Sequence, residues 1–268
     1  MKKASIEIIY EDSDILVINK PSGTSVTKDR SGRENLKDIF QRQLRIGAAE
    51  LRLVHRLDKD ASGVMILAKN VTAQRRLTGY FEKRLVKKTY LALVRGIAGQ
   101  AEGVIRAPLS AGGKTAQRMI IDHKKGKAAV TEWKLLADFG AIALLAVFPL
   151  TGRTHQIRLH LQSIGLPLAV DRLYGSDTAI LLSEFKSDYR LGKNQVENPL
   201  IDRLTLHSYQ LEFKDLPGVP DCFVAGLDKK FAAAIKMLSK YNPRGQGAFV
   251  QPQLQKDILA AKKIGVGW

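Results

Sequence analysis

The stretch from residue 51 to residue 69 constrains the fold most, because it reads as two strands joined by a tight bend. Leu51–Val54 alternates apolar and basic residues, as a half-buried strand does, and Val64–Ala68 is a short apolar run typical of a buried strand. Between them, residues 59–63 are the turn-forming sequence Lys-Asp-Ala-Ser-Gly. The pattern predicts that Asp58 lies at the end of a strand, beside a bend that leaves its carboxylate accessible.

Short strands and amphipathic helices account for most of the remaining chain. Residues 6–10 and 14–19 predict a hairpin, and further strands are expected at residues 88–96, 128–136, 140–150 and 206–213. Helices are expected at residues 35–50, 70–84, 154–164 and 231–238, with Asn70 and Thr154 as caps, Ile157, Leu161 and Ile164 facing the core, and Gly165 as a stop. Mostly antiparallel strands with peripheral helices predict the α+β class.

The charge balance indicates the kind of partner. The 268 residues include 43 Lys and Arg against 26 Asp and Glu, a formal net charge of +17. Such an excess predicts attraction to a polyanion, and nucleic acid is the first choice, although charge alone does not exclude a membrane surface. No run approaches the roughly 18 apolar residues of a membrane span. The single cysteine, Cys222, rules out an internal disulfide and fits a reducing cytosol.

Every candidate functional residue also has a purely structural interpretation. An aspartate before a Ser-Gly turn, such as Asp58, is most often a turn former. Tyr90 suits a core position of a strand, and Arg158, one turn inside a helix, suits a surface cation whose stem covers apolar neighbours. The seven basic residues against one acidic residue between Lys69 and Lys88 suit a solvated helix face as well as phosphate contact. Spacing alone leaves these alternatives open.

Four motifs, in order along residues 6 to 215, resemble those of the RluA-type pseudouridine synthases. The first is Tyr-Glu-Asp at residues 10–12 with Asn-Lys-Pro-Ser-Gly at 19–23, and the second is His-Arg-Leu-Asp at 55–58 with Ala-Lys at 68–69. The third is the Lys-x-Tyr-x-Ala-x-Val-x-Gly pattern at 88–96, and the fourth is Thr-Gly-Arg-Thr-His-Gln-Ile-Arg at 151–158, followed by Asp171-x-x-Tyr174-Gly175. Ala61 and Val170 depart from the family, which usually has Thr and Gly there.

The resemblance implies an enzyme that converts uridine in ribosomal or transfer RNA to its C-glycoside isomer. It implies a bent, mostly antiparallel mixed sheet with a central catalytic cleft. It assigns the catalytic carboxylate to Asp58, acting as nucleophile toward the uridine or as base at the ribose. Tyr90 would pack on the uracil and could accept the C5 proton, and Arg158 would pair with Asp58. The reaction has no redox step or group donor, so neither a cofactor nor a metal is expected.

The RNA surface is expected to consist of basic residues around these motifs. Arg56, which as a strand residue would share the face of Asp58, could stack in the gap left by a flipped base. The other predicted RNA-binding residues are Lys69, Arg75, Arg76, Lys87, Arg153 and His155. A second phosphate-facing patch is expected in residues 112–127, at Lys114, Arg118, Lys124, Lys125 and Lys127.

The organisation expected from these motifs is a catalytic domain of residues 1–225 and a C-terminal helical extension of residues 226–268. The N-terminal S4-type RNA-binding domain that many family members have is not expected here, because the first motif begins close to residue 1. The protein is expected to be a cytoplasmic monomer that binds structured RNA and no membrane.

Two other functions remain open at this point. One is a catalytically silent RNA-binding or ribosome-assembly factor with the same fold. The other is a hydrolase that uses Asp58 with His55 or His155. Zinc is not expected, because His155 and His160 are five residues apart, whereas a helical metal pair is spaced by four.

Overall fold

The computed structural model describes residues 5–27, 34–44, 51–112, 118–192 and 195–266. In these ranges the strands are β1 (Glu7–Glu11), β2 (Ile15–Lys20), β3 (Arg52–Leu53), β4 (Ser62–Ala68), β5 (Val86–Arg95), β6 (Glu102–Arg106), β7 (Leu109–Ala111), β8 (Met119–Ile121), β9 (Val130–Asp138), β10 (Ile142–Pro149), β11 (Leu206–Phe213) and β12 (Cys222–Val224). The helices are α1 (Leu36–Leu44), α2 (Val71–Glu82), α3 (Gln156–Ser163), α4 (Lys229–Tyr241) and α5 (Pro252–Leu259). The chain divides into two compact units, one of residues 1–89 and 207–226 and the other of residues 90–206 and 227–268.

The first unit is organised around strand β4. Strand β2 pairs antiparallel with β1 and with β4, β3 pairs antiparallel with β4, and β11 runs parallel to β4. All seven residues of β4 are buried, as their apolar run predicts. Helix α2 packs Ala73 and Leu77 into the same core cluster as Val17 and Ile66. Its first turn is closed by Asn70, whose side-chain oxygen accepts the Ala73 N–H at 2.8 Å, as predicted.

The second unit is built on strand β10, in which every residue is buried. Strand β10 pairs antiparallel with β5 on one side and with β9 on the other, and β6 pairs with β9. Strands β7 and β8 form a separate two-stranded sheet. The antiparallel pairs and the one parallel pair of β4 with β11 confirm the predicted α+β class with a mixed, mostly antiparallel sheet.

The predicted strand before Asp58 is wrong in its length. Strand β3 ends at Leu53, and residues 54–61 form a loop, so neither Arg56 nor Asp58 is a strand residue. The reason is that the His55 ring, through Nε2, accepts the Ile66 N–H at 3.0 Å. This N–H would otherwise bond the backbone of a longer strand beside β4. The argument that strand alternation places Arg56 on the face of Asp58 therefore does not hold.

The predicted start of helix α3 is also wrong. Thr154 does not cap it; the N-cap residue is His155, in the left-handed conformation at φ 53°, with no side-chain capping bond. The Gln156 side chain shapes this turn instead, because its Oε1 accepts the Arg153 N–H at 3.0 Å and the Thr151 hydroxyl at 2.6 Å. Ile164, predicted to face the core, is 40% exposed. Gly165 follows the helix at φ 75°, as a glycine stop does.

The C-terminal residues contain the predicted amphipathic helix. Helix α4 begins after Asp228, whose Oδ1 accepts the Lys230 and Phe231 N–H groups, and it buries Phe231, Ile235 and Leu238. The predicted division into residues 1–225 and 226–268 stays a prediction. The expectations for residues 45–50 and Lys114 lie outside the described residues. No helix in the described ranges is both long and apolar enough to cross a bilayer.

We expect Gly63→Ala to destabilise the protein strongly, by roughly 2–4 kcal/mol. Gly63 has φ 112°, and a Cβ at this position would lie 2.0 Å from the Ser208 carbonyl oxygen, which belongs to the parallel partner strand β11. Thermal or urea unfolding measures the effect.

The matched control is Gly79→Ala in helix α2, where a Cβ meets nothing within 4 Å. Alanine there is expected to stabilise the helix by up to about 1 kcal/mol. Equal stability of the two variants would contradict this account of Gly63.

Candidate functional site

Asp58 lies at the centre of the loop of residues 54–61 in the first unit. Its side chain is half-buried, the preceding Leu57 is 5% exposed, and Arg56 is exposed. The Asp58 carbonyl oxygen accepts the Ala61 N–H at 3.2 Å, which makes residues 58–61 a turn. The loop therefore presents a half-buried carboxylate between one buried apolar residue and a turn.

A buried ammonium group fixes the chain that follows Asp58. Lys20 is fully buried, and its Nζ donates to the carbonyl oxygens of Pro21 and Thr24 at 3.0 Å each and of Lys59 at 2.8 Å. Because an ammonium has three N–H donors, these three carbonyls account for all of them. The Lys59 carbonyl also accepts the Gly23 N–H at 3.0 Å. Lys20 thereby joins the Lys-Pro-Ser-Gly loop to the Asp58 loop.

An imidazole fixes the chain that precedes Asp58. The His55 ring accepts the Ile66 N–H through Nε2 and stacks on Phe81, with ring centroids 4.6 Å apart and planes 18° apart. Burial of the ring, together with the positive charge of Lys88, lowers the pKa of His55 to about 3. The ring is therefore neutral at pH 7, with its proton on Nδ1. His55 supports the loop and is a poor candidate for proton transfer.

Lys88 is the second poorly solvated ammonium in the first unit. Burial, reinforced by the charge of Arg84, lowers the pKa of Lys88 to about 8. At pH 7 the group is still mostly protonated. It is consequently a weakly solvated positive charge, which disfavours a second positive charge on His55.

In the second unit, Arg158 is buried and paired. It is 6% exposed, its Nε donates to Asp171 Oδ2 at 2.8 Å, and its Nη2 donates to Asp171 Oδ1 at 2.6 Å. Asp171 is 1% exposed and also accepts the N–H groups of Leu173 and Tyr174. This two-pronged pairing fixes the plane of the guanidinium and uses two of its five N–H donors. The interpretation of Arg158 as a surface cation is wrong, because its side chain is enclosed.

Tyr174 contacts two of the predicted site residues. The Arg158 Cζ atom lies 5.1 Å from the centre of the Tyr174 ring, within cation–π range. The Tyr174 hydroxyl lies 2.9 Å from His155 Nδ1 and accepts the Met119 N–H at 2.6 Å. The structure thus brings Arg158 and His155 together around one aromatic ring, and it adds Asp171 and Tyr174 to the candidate site.

Tyr90 stands on β5, opposite Val147 of β10. Its side chain is half-buried, whereas Ala92 and Val94 on the same face of the strand are fully buried. Asp58 belongs to the first unit, and Tyr90 and Arg158 belong to the second. Tyr90 is therefore the more exposed end of a buried strand face, rather than a residue of the core interior.

The predicted RNA-binding residues differ in whether a carboxylate of the protein already lies beside their positive charge. Arg56, Arg75 and Arg153 are exposed. Three others face carboxylates: Lys69 bonds Glu11 at 3.0 Å, Arg76 lies 3.5 Å from Asp14, and Lys87 lies 3.8 Å from Glu212. The exposed arginines are the ones best placed to meet a polyanion.

The side chains of His, Cys, Asp and Glu are the potential metal ligands of this protein. Across the described ranges no group of three or more of these residues is arranged to hold a metal ion. His160 has both ring nitrogens engaged, Nδ1 with the Thr131 hydroxyl at 2.8 Å and Nε2 with the Ala107 carbonyl at 2.9 Å. Burial lowers the pKa of His160, so it is a neutral structural histidine.

Comparison with known proteins identifies the family of the chain. A family model described as RNA pseudouridylate synthase matches residues 14–163. The chain is 35% identical to ribosomal large subunit pseudouridine synthase D of Borreliella burgdorferi, over 70% of this chain and 62% of that protein. It is 36% identical to an uncharacterized RNA pseudouridine synthase of Zymomonas mobilis, over 84% of this chain and 94% of that one. It thus spans about three fifths of the first relative and nearly all of the second.

Two solved structures show the same fold. Human RNA pseudouridylate synthase domain containing 4 is 26% identical, with a TM-score of 0.64 over 87% of this chain and 92% of that chain. Human RNA pseudouridylate synthase domain containing 1 is 24% identical, with a TM-score of 0.60 over 91% of this chain and all of that one.

We expect the acid stability of the protein to depend on His55. The pKa of His55 is about 3 in the folded protein and 6.5 ordinarily. Between these two pH values the unfolded chain therefore binds a proton at His55 that the folded protein does not bind. The contribution of neutral His55 to the free energy of unfolding is fully present above pH 6.5. It decreases as the pH falls toward 3, by at most about 1.4 kcal/mol per pH unit.

His55→Gln keeps an acceptor for the Ile66 N–H and removes the titration, so its melting temperature should fall less between pH 6.5 and pH 4. His123→Gln, which changes an exposed histidine, is the control and should follow the unmodified protein. Parallel acid profiles for all three proteins would refute this role of His55.

Proposed function

Because the chain belongs to the RNA pseudouridylate synthase family, we propose that it isomerises uridine to pseudouridine in structured RNA, with Asp58 as the catalytic carboxylate. The observation that carries the proposal is the Asp58 loop. It has the sequence of the family's second motif and is anchored on both sides, by His55 and by the Lys20 ammonium. Relatives named as ribosomal large subunit synthases favour ribosomal RNA as the substrate, with transfer RNA as the alternative.

The reaction makes a specific demand on this carboxylate. The N1–C1′ bond of uridine breaks, the uracil turns, and C5 bonds to C1′; C5 then loses its proton, and N1 gains one. Electrons and atoms balance within the nucleotide, so no oxidant or group donor is needed. Asp58 must be ionised to act, either as nucleophile toward the uridine or as base at the ribose. A rigid loop holds its oxygen atoms in place before the substrate arrives.

Arg158 and Tyr90 complete the proposed chemistry. A carboxylate in a water-poor site needs a cation to stay ionised, and Arg158 is the cation that we assign to this role. It is fixed by Asp171, so it does not have to be ordered during the reaction. Tyr90, half-buried at the end of a strand face, packs on the uracil and accepts the C5 proton.

Base flipping gives the RNA-binding residues their roles. A stacked uridine must leave the helix at a cost of a few kcal/mol before a carboxylate can reach it. Arg56, exposed two residues before Asp58, supplies a planar guanidinium that fills the gap. Arg75 and Arg153, also exposed, contact phosphates, and Lys69, Arg76, Lys87 and His155 contribute beside their existing partners. The net charge of +17 supports a polyanionic substrate.

The two rival functions make different demands on the same residues. A hydrolase would need His55 or His155 as a base, but His55 is neutral and already accepts a backbone N–H, and His155 is bonded to Tyr174. A silent RNA-binding factor would not need a carboxylate in a loop that is anchored on both sides. We therefore rank the isomerase first, and we propose that it acts as a monomer in the cytoplasm.

Asp58→Asn is expected to abolish isomerisation, at least a thousandfold, while RNA binding persists, because it removes one charge and keeps the size of the side chain. The assay is release of tritium to water from RNA labelled at C5 of uridine, with RNA mass measured in parallel. The control is Asp60→Asn, which changes an exposed carboxylate of the same loop and should stay within a few-fold of the unmodified protein. Tritium release by Asp58→Asn would favour another catalytic group, and loss of RNA mass would favour the hydrolase.

Arg75→Ala should weaken RNA binding and lower the slope of log affinity against log salt by about one unit, as for loss of one phosphate contact. The charge-matched control is Lys256→Ala on helix α5, whose side chain is exposed. This control tests whether RNA binding depends on the position of the positive charge or only on the net charge of the protein. An identical change in both slopes would show that Arg75 makes no particular contact.

A further inference from the structure

The small sheet of β7 and β8 carries its own set of exposed cations. Its strands pair antiparallel, Leu109 opposite Ile121 and Ala111 opposite Met119, apart from the large sheet. On it and on the turn that follows are exposed basic side chains, namely Arg118, Lys124, Lys125 and Lys127. We call residues 109–127, as far as they are described, the basic hairpin. Its charge makes it a second surface for a polyanion.

Tyr174 links this hairpin to the buried arginine. Its ring is 6% exposed and lies in a core cluster with Leu109 of β7 and with Leu159 of α3, against which Met119 and Ile121 of β8 pack. Its hydroxyl accepts the Met119 N–H at 2.6 Å, so the backbone of β8 is bonded directly to the tyrosine. A shift of β8 must therefore move the Tyr174 ring or break this hydrogen bond.

The other side of Tyr174 holds Arg158. The guanidinium carbon lies 5.1 Å from the centre of the ring. The Tyr174 N–H donates to Asp171 Oδ1 at 3.2 Å, and the same oxygen accepts Arg158 Nη2 at 2.6 Å. The Tyr174 ring and the Asp171 carboxylate thus both contact the guanidinium of Arg158. The positions of both groups depend on the position of residue 174.

We propose that Tyr174 is a positioning residue that couples the basic hairpin to the guanidinium of Arg158. The proposal rests on the function above, in which Arg158 keeps the Asp58 carboxylate ionised. RNA that engages the hairpin fixes β8, the bond from Met119 fixes the Tyr174 hydroxyl, and the ring fixes Arg158. Binding at the hairpin therefore acts on the rate of the chemical step, in addition to affinity.

The first test is Tyr174→Phe, which keeps the ring beside Arg158 and removes the hydroxyl. The expected result is a kcat at saturating RNA about 5- to 10-fold lower, comparable to loss of one hydrogen bond, with the Kd for RNA within twofold. The control is Tyr80→Phe, which removes a hydroxyl that donates to the Asp215 carbonyl at 2.8 Å in the first unit. It should lower the melting temperature by a similar amount and leave kcat unchanged.

The second test removes the same hydrogen bond from the hairpin side. Met119→Pro deletes the N–H that Tyr174 accepts and leaves the tyrosine intact. It should lower kcat by no more than Tyr174→Phe does, and the double variant should be no slower than Tyr174→Phe alone, since the hydrogen bond that Met119→Pro deletes is one of the two that the Tyr174 hydroxyl makes. Melting temperatures of all variants are measured alongside, so that a loss of folding is separated from a loss of rate.

The outcomes distinguish this inference from the proposed function. If the unmodified protein releases no tritium from any ribosomal or transfer RNA, the proposed function fails and the inference fails with it. If the unmodified protein is active and folded Tyr174→Phe has the same kcat, or the two changes multiply in the double variant, the coupling is refuted while the proposed function stands. A lower kcat with unchanged Kd, and no further loss in the double variant, supports the coupling.

Discussion

The structure around the candidate carboxylate depends on one buried ammonium group. Lys20 has no exposure to solvent, and the three carbonyl oxygens around its Nζ come from two separate loops. A buried cation without such partners would cost several kcal/mol, so the two loops cannot separate without exposing or stranding it. One lysine side chain therefore joins the loop of residues 21–24 to the turn after Asp58. The Asp58 loop contains no strand, but it is tied to the sheet through Lys20, the last residue of β2.

Two buried cations in this protein are stabilised in different ways, and the difference suits their roles. The ammonium of Lys20 is surrounded by neutral carbonyl dipoles and has no donor left. The guanidinium of Arg158 faces the carboxylate of Asp171 along one edge and has donors beyond that pair. A group that only has to hold the backbone can use all its donors internally. A group that is proposed to act on a carboxylate is here held by another carboxylate, which fixes the plane of its guanidinium.

The sequence predicted the fold well wherever an element is determined by residues that are adjacent along the chain. Strands β4 and β10 are uninterrupted apolar runs, and Asn70 caps a helix that starts directly after it. It failed where a side chain replaces a backbone partner. The His55 ring ends strand β3 early, and the Gln156 side chain shapes the turn that Thr154 was expected to cap. The pairing of Arg158 with Asp171 was not predicted, because Asp171 lies 13 residues further along the chain. The Asp-x-x-Tyr-Gly motif was visible, but only the structure shows what it contacts.

Strand β10 has a consequence for how the protein moves. Each of its eight residues is buried, and it is hydrogen-bonded to a neighbour on both edges. Amide protons in such a strand exchange with solvent only when the surrounding unit opens cooperatively, so β10 belongs to the last part of its unit to come apart. Tyr90 is paired with this strand through Val147. Peripheral loops reshape many binding surfaces on the microsecond scale. Such loop motion leaves the backbone that carries the Tyr90 ring in place.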